Sequence, residues 1–184
     1  MMTQTGATKP KSYNGDYMQA GKRGEEIVLN WLRKQPQHMN VVDVSSIQQC
    51  QVADVDCLIQ LCTGKVEFAE IKSDRHMGVT TNVLFEFSRI NHTCHPDHAV
   101  GLGWSARTAA QHLFIYASSL HKIYHCRTGQ FRHVVQQYTA TARQQTRIDW
   151  VNTDSGKSTL NFLIPWEACQ SVFRIYDPED EIGT

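Results

Sequence analysis

The sequence predicts an α/β domain in which helices flank a mixed β-sheet, and three observations carry that expectation. An amphipathic helical stretch comes first. Short β-rich runs follow it, two of them joined by Thr63-Gly64, and then helical and strand-like runs alternate to the end. A chain of 184 residues, 41% hydrophobic and 20% charged, suits one domain built on one core.

The polar start, Met1–Gly15, reads as a disordered tail and has no apolar stretch of the secretory kind. A helix is expected from Gly21 to Lys34. Ile27, Val28, Leu29, Trp31 and Leu32 form its apolar side, and Pro36 lies just beyond its end. Strands are expected at Asn40–Ile47, Ala53–Cys62 and Lys65–Lys72, the last two forming a tight antiparallel hairpin through Thr63-Gly64. Asn82–Ser88, rich in Val, Leu and Phe, is a fourth strand. Ser105–Ala110 reads as a short helix capped by Ser105. His112–Ala117 and Lys122–Cys126 read as strands, Phe131–Tyr138 as a helix, and Ser158–Ile164 as a late strand. Pro165 then opens a final helix at its first turn. The domain is expected over 16–176, with an acidic tail over 177–184.

No apolar run is long enough for a bilayer; Leu113–Ala117 is typical, against the roughly 20 residues a spanning helix needs. Six cysteines, at 50, 57, 62, 94, 126 and 169, lack paired spacing, so a reduced, cytoplasmic chain is expected. Lys and Arg number 18 and so do Asp and Glu, giving zero net charge. The distribution is uneven. Between Gly101 and Trp150 stand six cations (Arg107, Lys122, Arg127, Arg132, Arg143, Arg147) and one acid, Asp149. Such a stretch suits phosphate contact, although a solvated face has the same composition.

The residues that carry chemistry lie in the hairpin. Asp54 and Asp56 interrupt an otherwise apolar run, and Glu70 and Lys72 do the same in its partner. Side chains alternate along a strand, so Glu70 and Lys72 share a face, as Asp54 and Asp56 are expected to. Charges among apolar neighbours lose solvation unless something compensates them. A divalent cation would compensate the carboxylates, and phosphodiester hydrolysis uses such an ion beside a lysine.

Asp56 stands fourteen residues before Glu70-Ile71-Lys72, and that pattern resembles the PD-(D/E)-x-K nuclease superfamily. Val66–Ser73 resembles its third core strand. Gly24-Glu25 resembles the first-helix glutamate of resolvase-like members. Thr81–Glu86, Gly103-Trp104-Ser105 and Leu113–Tyr116 are similar to a bacterial and phage-type subgroup. The resemblance covers about Gly21 to Trp166. The residue before the superfamily's metal-binding Asp is often Pro; here it is Val55.

The resemblance implies a restriction-endonuclease-like core that cleaves DNA, duplex or branched, with Mg²⁺ or Mn²⁺. In it Asp56 and Glu70 bind the metal, the backbone carbonyl near Ile71 is a third ligand, Lys72 assists the attacking water and Glu25 completes the site. Many members act as homodimers, because a duplex has two strands to cut. Helical geometry selects Glu25 over Glu26: Glu25 lies about 70° from the centre of the apolar side and Glu26 points nearly opposite it. Asp54, Asn82, Glu86, Ser105 and Arg107 are candidate accessory residues.

Asp56, Glu70 and Lys72 have a plainer reading as a surface hairpin with an exposed ion pair, and three of the accessory residues have one too. Asp54 is a strand-edge charge, Glu86 is satisfied by a helix N-terminus or an arginine, and Ser105 is a cap. Trp104 and Tyr116 could stack on bases, but buried aromatics are commoner. His92–His98, with His125-Cys126, raises a zinc-binding regulatory module as an alternative, though without a standard zinc spacing. The same fold also admits a junction-resolving or repair nuclease, and a catalytically silent nucleic-acid-binding or assembly module that kept the fold.

Overall fold

The computed structural model describes residues 13–91, 100–141, 148–153 and 157–179. Helix α1 (Tyr13–Lys34) leads into β1 (His38–Asp43), a one-turn helix α2 (Gln48–Val52), β2 (Cys57–Leu61) and β3 (Val66–Asp74). Then come β4 (Asn82–Asn91), β5 (Val100–Leu102), α3 (Trp104–Arg107), β6 (His112–Ala117), β7 (Lys122–Arg127) and α4 (Thr128–Thr141). The chain closes through β8 (Ile148–Thr153), β9 (Lys157–Pro165), α5 (Trp166–Cys169), a 3-10 turn (Gln170–Val172) and β10 (Arg174–Tyr176).

A mixed sheet with the order β1-β2-β3-β6-β7-β10 forms the centre. Within it β3 and β6 are parallel, and each other neighbouring pair is antiparallel. A second, antiparallel sheet has the order β5-β4-β9-β8, where the sequence pattern predicts a single sheet. Alternation along β6 assigns the two faces of the central sheet. Phe114 and Tyr116 pack with Val28, Leu29, Trp31 and Leu32 of α1, together with Ala69 and Ile71. Leu113 and Ile115 pack on the other face with Val83, Phe85, Ile164 and Phe131. The apolar side expected for the first helix is therefore the side that is buried.

Several boundaries differ from the sequence expectation for local reasons. The first helix starts at Tyr13, inside the expected tail; residues 1–12 lie outside the described residues. The strand expected to run to Ile47 ends at Asp43, where Asp43 Oδ1 accepts from both the N–H and the hydroxyl of Ser45 and turns the chain. The strand expected from Ala53 begins at Cys57, because α2 and its exit occupy the preceding residues. Asp54 takes a left-handed φ of 46° there. The Thr63-Gly64 hairpin is present, with Gly64 at φ 83° and its N–H donating to Leu61 O. Pro165 ends β9 and precedes α5 rather than lying within it. Asp177, expected in an acidic tail, accepts from Lys122 Nζ at 2.5 Å.

One buried polar chain lies on the α1 side of the central sheet. Glu67 accepts from Lys65 (2.6 Å), His112 Nε2 (2.6 Å) and Arg127 (3.1 Å). Because His112 Nε2 donates to a carboxylate, its Nδ1 is the acceptor for His125 Nε2, 2.8 Å away. The His125 ring stacks on Phe114 with centroids 4.4 Å apart. Burial would raise the Glu67 carboxyl, but these three donors outweigh it and hold it at about 2. Burial, then the neighbouring His112 and Arg127, push His125 down to about 3; burial also lowers His112.

Both imidazoles are thus neutral in the fold, whereas each takes a proton near 6.5 once unfolded. Depressed histidines favour the folded state fully above that value and lose their contribution as pH falls toward 3. The urea midpoint should therefore fall steadily from pH 7 to pH 4. A flat midpoint over that range would show that the chain is not held neutral.

Candidate active site

β2 and β3 pair from Gln60↔Val66 to Cys57↔Ala69, and one further rung joins Asp56 N–H to Ala69 O at 2.9 Å. Beyond it the chain of Asp56 turns away, its carbonyl accepting from Val44 N–H. The next donor on that edge of β3, Ile71 N–H, goes to the Asp56 side chain, 2.7 Å from Oδ2. The N–H and C=O of one residue share a strand edge, so the Ile71 carbonyl faces the same opening.

Glu70 and Lys72 point to the face opposite Ala69 and Ile71. Glu70 is 1% exposed, and Lys72, 34% exposed by its side chain, pairs with Glu70 Oε1. Glu70 Oε2 is buried with no hydrogen-bond partner. Burial pushes the Glu70 carboxyl up to about 8; Lys72 opposes the shift and Asp56 adds to it. Burial would lower Lys72, but Glu70 and Asp56 outweigh it and raise the ammonium above its ordinary value. The ammonium also sits 5.2 Å from the centroid of the buried Trp104 ring.

Glu25 arrives from α1, on the other side of the sheet. A Cβ on Gly24 would lie 2.6 Å from Ser73 Oγ and 3.1 Å from Tyr116 Cδ1. That missing Cβ lets the helix settle on the strand beside Lys72, and the next residue, Glu25, comes within range of the Asp56 and Lys72 charges. Glu25 is half-buried. Burial, then the Asp56 charge, raise its carboxyl above the ordinary value, with Lys72 opposing. Glu26 is exposed, as the helical geometry required. The four residues Glu25, Asp56, Glu70 and Lys72 are therefore brought together.

The accessory residues divide. Asp54 is not on a strand beside Asp56, as expected, but accepts a two-pronged bond from Arg107, Nε to Oδ2 at 2.6 Å and Nη2 to Oδ1 at 2.7 Å. Its carbonyl accepts from the Thr108 hydroxyl at 2.5 Å. The pair Asp54–Arg107 thus ties the approach to β2 onto α3, within range of the Glu70 charge. Ser105 does not cap α3: Gly103 holds that position, and Ser105 Oγ accepts from Glu86 N–H at 3.0 Å. Glu86 Oε1 accepts from the N–H of Trp104, the first residue of α3, at 3.2 Å, in agreement with its structural reading. Asn82 donates to Thr80 O and stays local. Trp104 was legible as a buried aromatic but not as the ring under Lys72. The close approach at Gly24 had a signal in a glycine standing inside an apolar-periodic helix.

Among the described residues no three His, Cys, Asp or Glu side chains are gathered tightly enough to hold an ion by themselves. The residues that could hold a hard cation are Asp56, Glu70 and the Ile71 carbonyl, two carboxylates and one backbone oxygen. The unpartnered Glu70 Oε2 fits that use, since a buried acceptor without a donor is costly. The loop His92–His98 lies outside the described residues, and His125 is engaged with His112. Five described cysteines are free thiols. No helix among the described residues is long and apolar enough to cross a membrane. No family model, curated protein or solved structure matches this chain.

Replacing Gly24 by Ala should destabilise the protein by about 1–3 kcal/mol through overpacking. Adding Ser73→Gly should recover part of that loss, because it removes the two atoms nearest the new Cβ and leaves Tyr116 Cδ1 at 3.1 Å. Urea denaturation of the two single variants and the double variant measures the coupling. A coupling below about 0.5 kcal/mol would show that the close approach does not set the helix position.

Proposed function

We propose that this chain is a metal-dependent nuclease that hydrolyses DNA phosphodiester bonds, with the restriction-endonuclease-like core and PD-(D/E)-x-K site that its motifs resemble. The observation that carries the reading is the buried, unpartnered Glu70 Oε2 beside Asp56 and Lys72. Asp56, Glu70 and the Ile71 carbonyl would hold Mg²⁺ or Mn²⁺. When bound, that ion supplies Lewis-acid chemistry, acidifying water and offsetting charge on the phosphate.

The chain's own residues have separate parts. Lys72 is held as an ammonium by Glu70 and Asp56. It would orient the attacking water and meet negative charge on the phosphate. Glu25 has the raised carboxyl and the half-exposed position that suit proton uptake from that water. Trp104 fixes the ammonium against one face. Asp56 spends Oδ2 on Ile71 N–H, which orients its other oxygen into the opening. A two-fold pair of such chains would present two sites to a duplex.

The test is cleavage of supercoiled, linear, single-stranded and branched DNA with Mg²⁺, Mn²⁺ or EDTA. Wild type should cut only with metal, and Lys72→Ala should lose about 10²–10⁴-fold with its circular dichroism unchanged. Equal cutting by both would locate the activity elsewhere. Binding of DNA without cutting of any substrate would favour the silent binding module.

Metal binding has its own pH signature. The Glu70 proton competes with the cation up to about pH 8, so the rise in melting temperature on adding Mg²⁺ should grow from pH 6 to pH 9. Glu70→Gln should abolish the rise. A rise of equal size in Glu70→Gln would place the ion at another site.

A further inference from the structure

A cavity of about 650 Å³ opens on the α1 side of the molecule, lined by Gln19, Arg23, Gly24, Tyr116, Ser118 and His121 among others. Its described polar lining, Gln19, Arg23, Tyr116, Ser118 and His121, offers several hydrogen-bond donors. Tyr116, 6% exposed, has its hydroxyl 2.7 Å from His121 Nδ1. With the phenol donating in that bond, His121 Nε2 carries an outward N–H. Arg23 has no carboxylate partner among the described residues, yet its guanidinium acts on the Tyr116 phenol, opposing the rise that burial causes. Among the described residues that line the cavity none is a carboxylate. The exposed Glu179 has its Oε1 4.0 Å from His121 Nε2.

The cavity also has a fixed relation to the site. Tyr116 is registered with Ser73, the residue after Lys72, across the parallel pair β3 and β6. Gly24 lines the cavity, and Glu25 follows it on the helix. The cavity and the site therefore flank the same turn of α1, one strand apart. The β6–β7 turn is held for this arrangement: Ser118 N–H donates to Asp74 O, Ser119 Oγ to Met77 O, and His121 adopts a left-handed φ of 51°. A histidine at such a φ is uncommon and costs energy that the surrounding contacts must hold.

We propose that this cavity binds a phosphate of the nucleic-acid backbone, next to the phosphate that is cleaved, through Arg23, His121 Nε2–H, Ser118 and Gln19. An arginine, an imidazole N–H, a hydroxyl and an amide around one opening match phosphate oxygens. The inference rests on the nuclease reading and adds to it where the substrate strand runs: over the N-terminal half of α1, from the open edge of β3 toward the β6–β7 turn.

The experiment uses the full chain and the double variant Arg23→Gln with His121→Asn. Arg23 is exposed, and asparagine tolerates the left-handed φ at 121, so the fold is kept. A fluorescent duplex is titrated in EDTA at several salt concentrations. The double variant should bind at least tenfold more weakly. Its slope of log affinity against log salt should be smaller by about 0.9, because one phosphate fewer is neutralised. In cleavage assays with Mg²⁺ its KM should rise by a similar factor. Unchanged affinity and slope would overturn the cavity assignment while leaving the nuclease reading intact.

A second arm separates the two readings. Inorganic phosphate is titrated into labelled protein, following the Arg23 side-chain N–H by NMR. Shifts that saturate in wild type and vanish in His121→Asn support the phosphate site even if no DNA is cut. Absence of any shift, together with duplex binding that the double variant does not weaken, overturns it. Phosphate shifts with unaltered duplex binding would assign the cavity to a free phosphate compound and overturn the backbone route.

Discussion

The N–H of Ile71 donates to the Asp56 carboxylate where a continuing β2 would have offered a carbonyl, and the arrangement of the whole site depends on that substitution. A backbone donor in the middle of a sheet must be satisfied. The strand beside it has left, so a side chain takes its place, and the side chain that does so is an acid. The same departure leaves Ile71, itself buried, beyond the last β2–β3 pair, Cys57↔Ala69. Had β2 continued for two more residues, β3 would have been closed on both edges and Glu70 would have faced only packed side chains.

Burial explains why Glu70 and Lys72 act as a unit. A carboxylate 1% exposed is disfavoured as an anion, and its upward shift to about 8 states that cost. Lys72 offsets part of it, yet leaves one oxygen without a donor. A structural ion pair is normally completed by further hydrogen bonds, since an incompletely satisfied buried pair destabilises. Here Asp56, a second acid, raises Glu70 further. Two acids converging on one unfilled acceptor make a poor stabilising device and a suitable cation seat.

Much of this was legible in the sequence, and the rest was not for identifiable reasons. The periodic apolar residues of α1 named its buried side, and His112–Ala117 was bounded correctly because a short, β-prone apolar run of strand length has that extent, although burial at all six positions leaves it no period. The nearness of Asp56, Glu70 and Lys72 followed from hairpin spacing and strand alternation; Glu25 came from its resemblance to a first-helix glutamate, its angle on the helix only choosing it over Glu26. Asp54 was misplaced because an apolar run around it looked continuous, whereas the chain had spent Gln48–Val52 on a helical turn. Ser105 looked like a cap because it stands at a helix start. Its hydroxyl instead serves Glu86 N–H, beside the register shift between Glu86 and Ser88 in β4. The strands β5, β8 and β10 gain their form from neighbours distant in sequence, which a local reading cannot supply. The contact of Trp104 with Lys72 is of the same kind.

The site draws on both faces of the central sheet, and this limits how it can be changed. Glu25 belongs to the α1 side, where its position follows from Gly24 lying on Ser73. Lys72 belongs to the other side, where Trp104 is held by Glu86 at its N–H, and Arg132 secures the rest of α3 by donating to Ser105 O and Thr108 O. β3 carries both sides, with alternate residues committed to opposite cores. A shift of β3 by one residue would exchange Glu70 and Lys72 with Ala69 and Ile71, burying charge under α1 and exposing apolar side chains to the opening. The register of β3 against β6 is consequently fixed by packing on two faces at once, and the chemistry inherits its geometry from that double constraint.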